Sequence, residues 1–438
     1  MSGELTDETG SGLHELIPGG AQTLSKMRGR FPGAYPRSLL SANRALVFQI
    51  DGPGITDWIC GLGAISLGYG YLDVDQAVMN QVVRGPIFSL PHKLEERVAQ
   101  RLVDLIPCAE SVRYFKTGSE ATEAAIRVAR AHTGRDVILT CGYHGWHSWY
   151  AATREEHPGV PSLMCELVES FTYNDLPSLD EAIRRATDLY VDTVRGDNCE
   201  PGAAAIIVEP TLVEAPVSGF LAGLRERCDR WGALLIFDEM VTGFRWHAGG
   251  YQALCGVTPD LATFGKGMGN GYAIAALVGK AGPMRWARLA SGTFGGDLIG
   301  LAAADATIAR YQQGGVCEHM ARLGARIIEG YNHLAAKHSE ATWAEGQPPH
   351  PVIRWFEDPT NNRHRASLFY QELVKRGHLV HPEGMNLMLA HTDADVDSLL
   401  AACDEALAIV TGAIRAGNVR ELIEGDPIDP TPVWRVTR

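Results

Sequence analysis

The alternation of short apolar runs with amphipathic helical patterns constrains this chain more than any other feature. The runs "DVILT" (136–140), "AAAIIV" (203–208) and "ALLIFDE" (233–239) are brief and rich in Ile, Val and Leu. Between the last two, "GFLAGLRERCDRWG" (219–232) has apolar residues at helical spacing and ends on Gly232. Strands that are apolar throughout need cover on both faces, and strands separated by helices run parallel. The expectation is an α/β fold with a mostly parallel central sheet in a three-layer αβα arrangement. The pattern runs from a helical stretch at 93–106 to an Ala-rich helix at 300–312 and fades near 330. Residues 1–75 are rich in Gly and Pro, with a strand candidate at 46–50 before the turn signal "DGPG". Residues 331–438 suggest helices near 367–377 and 393–415 and strands at 351–355 and 385–390. Three regions are therefore expected: an N-terminal segment (1–75), a large domain (76–330) and a C-terminal α+β domain (331–438), the smaller region drawing on both chain ends.

Charge and composition remove several function classes. There are 52 acidic against 39 basic side chains, a net charge of -13, and no Lys/Arg block. Nucleic acid and anionic membranes are poor partners for such a surface. No apolar run approaches the roughly 18 residues that span a bilayer. The first twenty residues, "MSGELTDETGSGLHELIPGG", lack the basic start and apolar core of a secretion signal, so a cytoplasmic location is expected. Nine cysteines are scattered without a CxxC pair, which fits reduced thiols. An enzyme acting on small molecules is the natural expectation.

Four stretches carry chemistry. In "YFKTGSEATEAAIRVARAHTG" (114–134) a Thr-Gly-Ser turn opens a long helix, and either Thr117 or Ser119 can cap it. Free N–H groups at such a helix start suit a phosphate. The segment "ALLIFDEMVTGFRW" (233–246) ends a strand on Asp238 and Glu239, which point to opposite sides if extension persists. In "LATFGKGMGNGY" (261–272), Lys266 lies among glycines after an apolar run. It cannot belong to a Walker loop, because Gly267 stands where a Ser or Thr is needed. A desolvated lysine is what Schiff-base chemistry needs. Finally, "CGYHGWHSWY" (141–150) gathers Tyr143, His144, Trp146 and His147 just after a strand, and an aromatic there can stack on a flat ring. The i,i+3 spacing of His144 and His147 has no third and fourth ligand, so no metal is expected.

In order, these pieces resemble the fold-type I pyridoxal-phosphate enzymes. Within that group the chain is similar to the class III aminotransferases, nearest the glutamate-1-semialdehyde 2,1-aminomutase-like branch. The strings are "IPGG" (17–20), "GSEATEAAIRVAR", "YHG" (143–145), "VEP" (208–210), "LLIFDEMVTGFR" (234–245), "PDLATFGK" (259–266) and "SGTFGG" (291–296), and they span nearly the whole chain. The resemblance implies pyridoxal 5'-phosphate as cofactor, with pyridoxamine 5'-phosphate as its aminated form. It implies that Lys266 holds the cofactor aldehyde as a Schiff base and moves the substrate proton, and that Asp238 sits against the pyridine nitrogen. Thr117, Gly118 and Ser119 would take the phosphate. Tyr143 would stack on one ring face and Met240, where the family usually has valine, on the other. Glu209 would anchor a network near the phenolic oxygen or the substrate, and Glu239 would be structural. Thr293 would reach the phosphate of a neighbouring subunit, which implies a homodimer with a shared active site.

Substrate is less determined. The semialdehyde aminomutases carry a carboxylate-gripping arginine shortly after "PGG"; ungapped counting puts Lys26 there, with Arg28 two residues on. Lysine lacks the planar two-donor fork. The "VEP" element continues as "TLVEAPVSG" rather than the small Gly/Asn-rich run expected of aminomutases, and a gating loop between 150 and 165 is reduced. These departures favour an aminotransferase that moves an amino group from an amino acid to a ketone or aldehyde. A sugar or specialised-metabolite intermediate is one candidate acceptor, with His92, His144, His147 and Trp146 as candidate contacts. The alternatives are a 2,1-aminomutase and, behind it, a racemase or epimerase, which needs a second acid opposite Lys266.

Overall fold

A computed structural model describes residues 16–49, 52–193, 202–211, 213–355 and 361–428. Most of the N-terminal stretch read for targeting, and the last residue of the 46–50 strand candidate, lie outside them. The chain separates into two compact units: residues 72–317 with the segment 63–66, and a second formed by residues up to 62, 67–71 and from 318 onward.

Three short strands come first: β1 (Ser41–Asn43), β2 (Leu46–Phe48) and β3 (Ile55–Asp57). They belong to the second unit. The larger unit is built on seven strands: β4 (Ser111–Phe115), β5 (Val137–Cys141), β6 (Val168–Ser170), β7 (Ala203–Val208), β8 (Leu234–Asp238), β9 (Leu261–Phe264) and β10 (Ala275–Gly279). Their order in the sheet is β4-β10-β9-β8-β7-β5-β6. All pairings are parallel except those of β10, which runs against both neighbours. Every residue of β5, β7, β8, β9 and β10 is buried. That is why these strands read as unbroken apolar runs rather than alternating ones.

The covering helices include α1 (Leu72–Val82), α2 (Lys93–Leu105), α3 (Gly118–Thr133), α4 (Leu176–Thr193), α5 (Phe220–Trp231) and α6 (Leu298–Gln312). Helix α3 lies across the middle of the sheet, packing on β4 and β7–β10, while α4 and α5 pack on β5–β8. Ala124, Ala125, Ile126, Val128 and Ala129 of α3 interlock with Ile138, Ala205, Ile207 and Ile236 in the core. The small side chains let the helix approach the sheet closely.

The second unit contains most of α7 (Val316–His338), the hairpin β11 (Thr342–Glu345) and β12 (Val352–Trp355), α8 (Asn361–Lys375), β13 (His378–Leu379) and α9 (Asp393–Ala416). Strand β13 joins β3 in parallel, completing a four-stranded sheet β1-β2-β3-β13. One sequence expectation is corrected here: residues 385–390 are not a strand. Their N–H groups go singly to different acceptors. Met385 donates to Pro351 O (2.8 Å), Asn386 to Trp58 O (2.7 Å) and Met388 to His391 Nδ1 (3.1 Å). No helix among the described residues is long and apolar enough to cross a membrane.

Candidate active site

Strands β4, β9, β8, β7 and β5 share one direction, so their carboxyl ends form one edge of the sheet. Ligands of open α/β sheets gather at that edge. Thr117 to Ser119 follow β4, Tyr143 and His144 follow β5, Glu209 follows β7, Asp238 ends β8 and Lys266 follows β9. The topology thus brings eight of the nine expected site residues to one end of one sheet, Met240 included. The ninth, Thr293, lies exposed in the turn before α6. Among the described residues no hydrogen bond ties it to the others.

Thr117 caps α3: its hydroxyl accepts from Glu120 N, and the Glu120 carboxylate accepts from Thr117 N (2.9 Å) in a reciprocal capping box. Ser119 is not the cap; its Oγ accepts from Trp146 N at 3.3 Å. The N–H groups of Gly118 and Ser119 have no acceptor among the described residues. They are donors at a helix N-terminus, where an anion is stabilised. Met240 passes beside this turn through a gap that two glycines leave open. A Cβ on Gly118 would stand 2.7 Å from its sulfur, and one on Gly265 would stand 2.8 Å from it. Any larger residue at either position displaces Met240.

Asp238 is almost fully buried and has three donors. His144 Nδ1 is 2.8 Å from Oδ2, while Thr263 Oγ1 (3.0 Å) and Met240 N (3.2 Å) donate to Oδ1. His144 Nε2 lies 3.2 Å from Cys141 O. With its ring held at both ends, His144 is an orienting partner of the carboxylate. Its sequence reading as a substrate contact is replaced by this role, and the signal was a through-space one that spacing does not carry. Glu239 points the other way, accepting from Thr242 Oγ1, Tyr251 N and Gln252 N. His147 turns to Glu123 (3.5 Å), Trp146 is exposed, and His92 caps α2, so none of these three joins the edge cluster.

Glu209 is half-buried and accepts from Tyr143 N at 2.8 Å. Burial and the nearby Asp238 charge push its carboxyl up to about 7, against the pull of His144, Tyr143 N and Lys266. The Lys266 amine is pushed below its ordinary value by burial and by Arg245, while Glu209 and Asp238 oppose the shift. Tyr143 meets Tyr150 edge to face, ring centres 5.5 Å apart, and burial raises its phenol.

This donor set fits a phosphorylated, nitrogen-containing aromatic cofactor. Unsatisfied helix-start N–H groups suit a phosphate, a buried and oriented carboxylate suits a ring nitrogen, and a lysine with a lowered pKa suits an aldehyde. Comparison with known proteins agrees. The aminotransferase class-III family model matches residues 36–401. A 3-aminobutyryl-CoA aminotransferase from Cloacimonas acidaminovorans is 34% identical over 402 residues, 90% of this chain and 95% of that protein. A glutamate-1-semialdehyde 2,1-aminomutase from Roseiflexus castenholzii is 31% identical, with coverage of 92% and 96%. The structure of the FumI protein of Sphingopyxis sp. MTA144, in its pyridoxal-phosphate internal aldimine form, superposes with a TM-score of 0.84 at 28% identity, covering 93% of this chain and 97% of that one. The chain belongs to the class-III aminotransferase family of fold-type I enzymes, which use pyridoxal 5'-phosphate for amino-group transfer.

Proposed function

We propose that this enzyme is an aminotransferase that takes an amino group from an amino acid and delivers it to a ketone or aldehyde acceptor in two half-reactions. The observation that carries this over the 2,1-aminomutase reading is the state of Arg28. Its Nη1 donates to Tyr35 O (3.0 Å) and its Nη2 to Gly33 O (2.5 Å), so both terminal nitrogens already hold a bond within its own chain. The neighbouring Lys26 is exposed. A lysine is a point charge and grips a carboxylate with less geometric control than an arginine.

In this reading Gly118 and Ser119 would hold the phosphate with Thr117 fixing their turn, Tyr143 and Met240 would flank the ring, and Lys266 would hold the cofactor aldehyde. Asp238, oriented by His144 and Thr263, would hold the ring nitrogen and favour its protonated form. When bound, the cofactor supplies an electron sink for the carbon that loses its proton. Lys266 would be the group that carries that proton, since burial and Arg245 lower its pKa and favour the neutral amine a base requires. Glu209 holds the Tyr143 backbone and adds a carboxyl that titrates near neutrality. A homodimer is part of the proposal, with Thr293 reaching the partner's phosphate. Exposed Leu72, Val83, Phe88 and Leu90 support an apolar interface on this unit.

The test is an absorbance titration of the purified protein with glutamate, glutamine, alanine, ornithine and amino sugars. A donor that converts the bound cofactor to its aminated form and releases one equivalent of keto product establishes the transaminase. An isomerised substrate with nothing released refutes it in favour of the aminomutase or epimerase.

A further inference from the structure

Three non-glycine residues around the Lys266 turn have left-handed backbone: Lys266 (φ +43°), Asn270 (φ +43°) and Phe244 (φ +60°). Such residues persist only when their surroundings hold them. The surroundings here converge on the segment 63–66. The buried Ser66 donates its hydroxyl to Gly267 O (2.9 Å) and its backbone N–H to Asn270 Oδ1 (3.0 Å), gripping the turn on both sides. Gly267 lies between Ser66 and Phe244, where an added Cβ would stand 3.2 Å from one Cβ and 3.3 Å from the other. Tyr311 fixes Phe244 by donating to its carbonyl. The segment is fixed in turn by Arg245, 1% exposed, whose Nη2 lies 2.9 Å from Gly63 O and 3.5 Å from Ile65 O. A buried guanidinium is costly to desolvate unless its hydrogen bonds are well made.

We propose that Arg245 and Ser66 are positioning residues for Lys266. Arg245 anchors the 63–66 carbonyls, Ser66 transmits that anchor to Gly267 and Asn270, and the pair keeps the lysine aimed at the site. Arg245 also places a fixed cation near the amine. The charged and titratable groups facing Lys266 are Glu209 after β7, Asp238 at the end of β8 and Arg245, with His144 and Tyr143 bonded to those carboxylates. Arg245 is the cation whose charge disfavours the protonated Lys266, so it favours the neutral, nucleophilic amine.

This inference rests on Lys266 being the cofactor-bearing lysine, and the experiment separates the two. The full-length chain, freed of cofactor, is given pyridoxal 5'-phosphate at a series of pH values, reduced with borohydride, and the modified lysine quantified by peptide mass spectrometry. In the unaltered protein the label falls on Lys266. R245M raises the pH midpoint of labelling by roughly one unit, from loss of a nearby charge in a medium of intermediate dielectric. R245K restores the midpoint yet labels several-fold more slowly, because lysine lacks the fork. S66A slows labelling several-fold without moving the midpoint. Should R245M not fold, R245K and S66A decide by rate alone. A label on another lysine overturns the Lys266 assignment. A label on Lys266 with unchanged rate and midpoint in the folded variants overturns the positioning proposal and leaves that assignment standing.

Discussion

Replacing Glu209 with Gln turns the most perturbed carboxyl at the sheet edge into a stability measurement. The fold raises this group from 4.5 to about 7, chiefly through burial and the Asp238 charge. That interval corresponds to about 3 kcal/mol of preference for the protonated form. The sign follows from linkage. Between pH 4.5 and 7 the folded chain holds a proton that the unfolded chain has released, so stability falls as pH rises through this window and is lowest above 7. Gln keeps an oxygen to accept from Tyr143 N, at 2.8 Å in the parent, and carries no charge at any pH. The cofactor-free E209Q chain should therefore be more stable than the parent at pH 8, by up to about 3 kcal/mol, or several degrees in the melting temperature of a unit this size. The gain should shrink steadily on acidification and vanish below pH 4.5. Paired melts from pH 4.5 to 8, followed by circular dichroism, supply the assay. A gain independent of pH, or a loss at pH 8, refutes the placement of a desolvated, electrostatically strained carboxyl at Glu209.

Lys266→Ala should fold and bind the cofactor weakly, with the cofactor absorbance free in solution and turnover abolished; an active variant sinks the mechanism. His144→Gln removes the 2.8 Å partner of Asp238 and should lower kcat about ten- to a hundredfold with KM little changed, since hydrogen bonds to charged groups contribute about 1.5–3 kcal/mol. Equal kcat in H144Q shows that Asp238 needs no orienting partner. Burial depresses His378 to about 4, so the folded form stays neutral while the unfolded chain takes up a proton below its ordinary 6.5. Its contribution is complete above pH 6.5 and is lost as pH falls towards 4, about 3 kcal/mol in all, and melts of His378→Gln should lack that part of the acid sensitivity. Val83→Lys with Leu90→Lys should produce a monomer by analytical ultracentrifugation and weaken cofactor binding, and an intact dimer rejects that face as the interface.

Much of the large unit was legible from local pattern. Strands β7, β8 and β9 are buried on both faces, and a strand so placed must be apolar along its length, which is the mark found at 203–208 and 233–239. Asp238 and Lys266 were visible because each interrupts such a run at its carboxyl end. The run at 385–390 shows the limit. Apolar, extended residues satisfy a burial pattern whether or not another strand lies beside them, and here the N–H groups found Pro351, Trp58 and His391 instead.

The sequence by itself determined the α/β class and the residues at the strand ends, because those depend on side-chain type and on periodicities within a few residues, and its resemblance to a known family implied the cofactor. Only the tertiary structure decided which of them cooperate. His144 reaches Asp238 across 94 positions, and Arg245 reaches Gly63 across 182. The sheet order β9-β8-β7-β5 departs from sequence order only by passing over β6, yet parallel pairing in that order is what aligns four carboxyl ends on one edge. Hydrogen bonds and charge shifts act over a few ångströms of space, and the chain's own periodicity carries no record of which distant segments will close that distance.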